Sequence, residues 1–154
     1  MATGFEKILN LIDFTIHRLG QVIEIYTKLS KQVQWIGMSK MLYSMLDLQK
    51  EQAKQLIKLR QQGNLETVFD QLDNLQPDTA VFFNDVSFLE DMNFIDFLSM
   101  VILQQEEFIK LYAYLGSLSS NQEVLHLFNS CAEDARKQRL WVLDRYELEI
   151  LTLY

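Results

Sequence analysis

The chain has 154 residues, 49% of them apolar and 12% aromatic, with only five glycines and one proline. This composition excludes a disordered chain and a turn-rich β-sandwich, and it favours one helical domain with a sizeable core. A formal charge of −7 argues against nucleic acid as a partner. No signal-peptide pattern and no run of ~20 apolar residues is present, so no membrane partner is expected. The single cysteine, Cys131, allows no intramolecular disulfide and predicts a cytoplasmic location.

Two helices are predicted over residues 5–62. Their apolar residues recur at three- and four-residue steps, as on one face of an amphipathic helix. The first stripe comprises Ile8, Leu11, Ile12, Thr15, Leu19, Val22, Ile23, Tyr26 and Leu29. The second comprises Met38, Met41, Leu42, Met45, Gln49, Gln52, Leu56 and Leu59. The pattern breaks around Gly37, and Gly63 is predicted to be the C-terminal cap of the second helix.

Residues 63–89 show no sustained period and contain the turn signal Gln76-Pro77-Asp78, which predicts a long crossover with a short helix around Leu65–Leu72. Two more helices are predicted over 90–149, separated at Ser119-Ser120, and Asn121 resembles a helix N-cap. The third stripe comprises Phe94, Leu98, Ile102, Gln105, Ile109, Tyr112, Leu115 and Leu118. The fourth comprises Val124, Leu127, Phe128, Cys131, Ala135, Gln138, Val142, Arg145 and Tyr146.

Two helix pairs joined by a long connection predict an all-α four-helix bundle that forms a single domain over residues 1–154. The two pairs also form an internal repeat. A shift of 86 residues superposes them without a gap, and identical or similar residues then coincide. Ile23 falls on Ile109, Tyr26 on Tyr112, Leu29 on Leu115, Ser44 on Ser130, Gln52 on Gln138 and Met45 on Cys131.

The repeat carries a family resemblance. In the second half it rests on Leu111-Tyr112, Leu115, Leu118, Glu123-Val124, Leu127-Phe128 and Ala132-Glu133-Asp134. In the first half it rests on Tyr26, Leu29, Met41-Leu42 and Asp47. Over residues 8–60 and 92–147 the chain thereby resembles the rubrerythrin branch of the ferritin-like superfamily. The resemblance implies a bundle of two related helix pairs, the fold that the helix pattern also predicts.

The resemblance also implies a di-iron centre, in which a Glu and a Glu-x-x-His motif from each helix pair point inward. Carried over residue by residue, the six ligand positions fall on Leu19, Gln49, Gln52, Gln105, Ala135 and Gln138. Tyr26 and Tyr112 lie next to them in the pattern. None of the six positions keeps a carboxylate or an imidazole, so the ligand set for iron is absent. We therefore expect no metal and no cofactor.

A glutamine side chain can both donate and accept hydrogen bonds, and a buried unpaired amide costs about 1–3 kcal/mol. The four inward glutamines are therefore predicted to bond to one another, to Tyr26 or Tyr112, or to trapped water. The alternative is a di-iron or di-manganese oxidoreductase, or a metal-storage protein, that uses off-pattern carboxylates. A shift of one residue in the helix register would bring Glu106 or Asp134 inward and would favour this alternative. Its off-pattern ligands would be Glu24, Glu106 and Glu133.

The remaining candidates have structural interpretations. His17 and His126 have no second His or Cys at ligand spacing, so a surface position is expected for both. Cys131 lies on an apolar stripe and is interpreted as a small buried hydrophobe. The apolar run Phe82, Phe83, Val86, Phe88, Leu89, Met92, Phe94 and Phe97 and the tail Leu148, Ile150, Leu151, Leu153 and Tyr154 favour symmetric dimerisation.

The sequence thus predicts a non-catalytic interaction or small-molecule-binding protein that forms a cytoplasmic homodimer. An amide-lined centre that binds a small polar ligand is a further possibility. The sequence names no substrate, partner or pathway. It also does not decide whether the apolar tail packs within the chain or against a second copy.

Overall fold

The computed structural model describes residues 3–31, 38–71 and 93–153. Helices account for 88% of these residues, and none of them lies in a β-strand, so the all-α prediction is confirmed. The helices are α1 Gly4–Ser30, α2 Ser39–Gln61, α3 Leu65–Val68, α4 Phe94–Ser117 and α5 Gln122–Thr152. None of these helices offers a stretch long and apolar enough to cross a lipid bilayer.

Side-chain caps begin three of the four long helices. At α1, Thr3 Oγ1 accepts from the Glu6 N–H at 3.1 Å, and the Glu6 carboxylate accepts from the Thr3 N–H at 3.0 Å, which completes a capping box. Asn93 and Asn121 each accept a backbone N–H from the first turn of α4 and α5, at 2.8 and 3.1 Å. The predicted N-cap at Asn121 is confirmed.

Several helix ends differ from the prediction. The C-cap of α2 is Gln62 and not Gly63, because Gln62 turns to an extended conformation and its N–H donates to the Leu59 carbonyl. Helix α4 begins at Phe94, and not near residue 90, because the side chain of Asn93 caps it. Helix α5 continues beyond residue 149 to Thr152, where nothing in the sequence before Leu153 interrupts the helix.

Helices α1 and α2 pack together, as do α4 and α5, and α2 also packs against α5. Arg60, near the end of α2, forms an ion pair with Asp13 in the first half of α1 at 2.9 Å, so these helices run in opposite directions. Gly116, near the end of α4, faces Phe128 in the early part of α5. Helices α4 and α5 are therefore also antiparallel, and each predicted helix pair is found.

Contacts between the two helix pairs establish the relative directions of the four long helices. Met41, near the start of α2, shares a surface pocket with Trp141 in the later part of α5, whereas Leu59 at the other end of α2 shares one with Val124. Tyr26, near the end of α1, meets the Phe97 ring near the start of α4 at 6.3 Å. Neighbouring long helices thus run antiparallel, and α2 and α4 point the same way.

The core lies between the four long helices and follows the predicted stripes of α1 and α2 closely and that of α5 less closely. In α4 the prediction was partly wrong. Phe94, Ile102 and Ile109 are only half-buried, whereas Phe97 and Phe108 are fully buried. Other residues of the predicted stripes that are half-buried are Ile23, Met41, Leu127, Arg145 and Tyr146. The buried face of α4 differs from the predicted stripe because apolar residues flank that stripe on both sides.

The segment that follows α2 docks on the turn between α4 and α5. The hydroxyl of Ser119 donates to the Val68 carbonyl, and the backbone N–H of Ser120 donates to Asp70 at 2.8 Å. The Phe69 ring lies 6.4 Å from that of Phe128. The predicted short helix spans 65–68, while residues 72–89 of the predicted crossover and the aromatic run over 82–92 fall outside the described residues.

Candidate functional site

The six positions matched to metal ligands converge in the space between the four long helices. Helix α1 supplies one of them, α2 two, α4 one and α5 two. All six side chains are buried: Leu19 0%, Gln49 0%, Gln52 2%, Gln105 1%, Ala135 0% and Gln138 0% exposed. The prediction that these positions face inward is confirmed, and a register shift does not occur.

Gln138 is the centre of a hydrogen-bonded cluster. Its Oε1 atom accepts from Gln49 Nε2 at 3.1 Å and from Gln105 Nε2 at 3.4 Å. Gln105 Nε2 also donates to the Tyr26 hydroxyl at 3.4 Å. The cluster therefore joins α1, α2, α4 and α5 through four side chains.

A second polar contact joins α4 to α2. The Tyr112 hydroxyl of α4 donates to Gln52 Oε1 of α2 at 2.6 Å, and both groups are buried. The prediction that the inward glutamines bond to one another and to Tyr26 or Tyr112 is thus confirmed. These bonds link the two helix pairs to each other without placing a net charge in the core.

The internal repeat relates the two polar contacts. The shift of 86 residues carries Tyr26 to Tyr112 and Gln52 to Gln138. The repeat counterpart of the Tyr112–Gln52 bond would therefore join Tyr26 to Gln138. Gln105 instead bridges these two residues, whereas its own counterpart is the apolar Leu19. The centre is consequently more polar on the Gln138 side.

Each of the four central glutamines has one amide atom that forms no hydrogen bond with the described residues. Among the described residues, no hydrogen-bond partner lies near Oε1 of Gln49, Nε2 of Gln52, Oε1 of Gln105 or Nε2 of Gln138. Gln104, which is 2% exposed, has the same unpaired Oε1 and was missed at the sequence level. Its neighbour Gln105 was found only because the repeat and the family pattern marked it, and no such signal exists for Gln104.

Burial controls the electrostatics of the site. Burial raises the pKa of Tyr26, and its hydrogen bond with Gln105 offsets part of this effect. Burial also raises the pKa of Tyr112 well above its ordinary value, and the nearby Cys131 and Asp134 raise it further. Both phenols are therefore neutral hydrogen-bonding groups at neutral pH. Neither can supply a negative charge to a bound cation there.

The carboxylates of the alternative interpretation are not brought together. Glu24 lies exposed on α1, Glu106 pairs with Arg139 at 2.9 Å, and Glu133 pairs with Arg136 on the surface of α5. In the parts of the chain that the structure describes, no three His, Cys, Asp or Glu residues form a group that could hold a metal ion. The off-pattern ligand set has no geometric support within these residues.

The other candidate residues lie where the sequence predicts. His17 and His126 are exposed on α1 and α5. Cys131 is 2% exposed, and burial raises the pKa of its thiol to about 12, with a further contribution from Asp134. A thiol with so high a pKa stays protonated at neutral pH and is a poor nucleophile. Cys131 therefore acts as a small core residue.

A surface groove of about 440 Å³ lies where the end of α2 meets the start of α5. Lys54 and Lys58 line it together with Glu123 and the apolar side chain of Leu127. Sequence reasoning did not identify this groove, because the residues that line it come from segments far apart in the chain.

The chain was also compared with known proteins. No protein-family model, curated protein or solved structure matches it.

Proposed function

We propose that this protein is a metal-free, ferritin-like four-helix bundle of non-catalytic type, which acts as an interaction or small-molecule-binding protein and forms a cytoplasmic homodimer. The observation that carries the proposal is the amide cluster around Gln138. It places neutral hydrogen-bonding groups at positions where the resemblance would require metal-binding carboxylates and imidazoles.

The order of the helices supports the ferritin-like part of the proposal. Helices α2 and α4 run in the same direction, so the end of α2 and the start of α4 lie at opposite ends of the bundle. A four-helix bundle with one such long crossover is the arrangement of ferritin-like folds. The match between Tyr26 and Tyr112 in the repeat fits the same arrangement, since each phenol lies beside the centre.

The chemistry of the centre supports the metal-free part. Two iron or manganese ions need several carboxylates, because hard anionic oxygens neutralise the cations and bridge them. Leu19 and Ala135 offer no donor atom, and the four glutamines offer only neutral amides. Burial of two uncompensated divalent cations among neutral groups would be very unfavourable.

Elemental analysis tests this proposal directly. The protein is expressed in medium rich in iron and manganese, purified without chelators, and analysed for metal per chain. We expect only trace levels. A useful control is a variant in which all six positions carry the implied ligands: Leu19→Glu, Gln49→Glu, Gln52→His, Gln105→Glu, Ala135→Glu and Gln138→His. Metal bound to this variant would show that the medium supplies metal and that the purification retains it. Stoichiometric metal in the wild-type protein would overturn the proposal.

Two surface features support a role in binding. The groove at the start of α5 has a volume in the range of small-molecule sites. On another part of the surface, large apolar side chains are exposed on α2 and α5: Tyr43 56%, Leu140 54%, Leu148 57% and Leu151 72%. The spacing of Leu140, Leu148 and Leu151 places these three side chains along one face of α5. An exposed apolar face marks a protein-interaction surface, and symmetric dimers are the commonest soluble assemblies.

A further inference from the structure

We propose that one ordered water molecule is a structural part of the centre, bound between the amides of Gln49, Gln105 and Gln138. This inference deepens the proposed function and rests on it, since it assigns the ligand of the metal-free centre. Gln49 and Gln105 both donate to the same atom, Gln138 Oε1, at 3.1 and 3.4 Å. The three amide groups are therefore joined directly to one another through this oxygen.

The atoms that are left unpaired on these three amides match one water molecule in number and kind. Gln49 Oε1 and Gln105 Oε1 are acceptors, and Gln138 Nε2 is a donor, and none of them has a partner among the described residues. A water molecule has two hydrogens, one for each amide oxygen, and its oxygen can accept from Gln138 Nε2. Three hydrogen bonds are also the typical number for a buried water in a protein.

Burial makes this match energetically important. The three side chains are at most 1% exposed, so bulk solvent cannot reach the unpaired atoms. A buried donor or acceptor without a partner costs about 1–3 kcal/mol, and one bridging water would remove three such costs at once. Among the residues that the structure describes, no buried side chain is charged, so a neutral molecule suits the site better than an anion or a cation.

The neighbouring Tyr26 fits the same inference. In its contact with Gln105 the phenolic oxygen accepts the hydrogen bond, so the phenol keeps its own hydrogen for another acceptor. A water beside Gln105 provides one. Gln52 is not bonded to this group, since its Oε1 accepts from Tyr112. The proposal therefore concerns only the three amides that meet at Gln138.

The first experiment is a high-resolution crystal structure of the wild-type protein. We expect a single spherical density peak within hydrogen-bond distance of Gln49, Gln105 and Gln138. The absence of a peak, or elongated density that only a larger molecule fits, would overturn the proposal. Either result is compatible with trace metal in elemental analysis, so the inference can fail while the proposed function stands. Stoichiometric metal would instead contradict the proposed function itself.

The second experiment counts long-lived waters in solution by magnetic relaxation dispersion of the water nuclei. The variant Gln49→Leu/Gln105→Leu/Gln138→Leu removes all three amides together, which leaves no half-satisfied partner, and it should lose one long-lived water per chain. Gln61→Leu, at the exposed end of α2, is the matched control and should keep the wild-type number. Equal numbers in the wild-type protein and the triple variant would refute the inference. If the triple variant does not fold, the wild-type crystal structure decides alone.

Discussion

Tyr112 and Gln52 form the shortest hydrogen bond of the central network, with the phenolic hydroxyl 2.6 Å from the amide oxygen. The bond crosses from α4 to α2 and so joins the two helix pairs of the repeat. Its repeat counterpart, between Tyr26 and Gln138, is bridged by Gln105. Tyr112 thus bonds directly to its glutamine, whereas Tyr26 reaches Gln138 only through Gln105. We therefore expect the two tyrosines to contribute unequally to stability.

Tyr112→Phe should lower the free energy of unfolding by about 1–3 kcal/mol, because it leaves Gln52 Oε1 buried without a donor. Tyr26→Phe should cost less, since Gln105 keeps its hydrogen bond to Gln138 Oε1. Chemical denaturation of both variants measures the difference. Equal losses would contradict the asymmetry inferred from the structure.

The double variant Tyr112→Phe/Gln52→Leu tests the same bond as a pair. Removal of both partners leaves no unpaired polar atom on either side, so its loss of stability should be smaller than the sum of the two single losses. A strictly additive result would show that the phenol and the amide do not interact in solution.

Burial of the two phenols predicts a loss of stability in alkali. Below the ordinary phenol pKa of 10.0 both the folded and the unfolded chains keep these protons, so the phenols add no pH dependence. Above it, the unfolded chain loses protons that folded Tyr26 and Tyr112 retain, because burial raises both pKa values. Each phenol should then lower the free energy of unfolding by about 1.4 kcal/mol per pH unit, until pH reaches its folded-state pKa.

Denaturation curves measured from neutral pH into alkali test this prediction. Tyr26→Phe/Tyr112→Phe should show a shallower decline than the wild-type protein, because the unfolded variant has two fewer phenols to ionise. Tyr43→Phe is the matched control, since Tyr43 is 56% exposed on α2, and it should decline as the wild type does. The same slope in the double variant and the control would exclude the two buried phenols as the cause.

The sequence predicted the helix faces well where apolar and polar residues alternate clearly, as in α1. It failed in α4, where Phe94, Phe97 and Ile102 are all apolar and spacing alone cannot rank their burial. At the centre, the inward positions of the glutamines followed from the repeat. Which amide atoms pair and which stay unpaired depends on distances between four helices, which no pattern in the chain encodes.

Cys131 should react with thiol reagents only when the protein unfolds. Its side chain is buried, and burial raises the pKa of the thiol to about 12, so both access and the thiolate fraction are low in the folded state. The rate of labelling by a disulfide reagent should rise steeply across the denaturation transition. Asn129→Cys combined with Cys131→Ala provides an exposed thiol two residues away, which should react quickly in the folded protein. Fast labelling of the wild-type protein under native conditions would contradict the buried position.

The exposed leucines at the end of α5 predict a homodimer. A double substitution of these leucines should dissociate the dimer into monomers. Leu148 and Leu151 lie on one face of the helix, three residues apart, and are 57% and 72% exposed. Burial of one leucine contributes roughly 1.5–3 kcal/mol, and a symmetric contact would bury both leucines of each chain. Leu148→Glu/Leu151→Glu should therefore shift the mass measured by analytical ultracentrifugation from dimer to monomer. Gln61→Glu adds charge at the exposed end of α2 and should leave the dimer intact. A wild-type protein that sediments as a monomer at micromolar concentrations would refute this interface and the homodimer together.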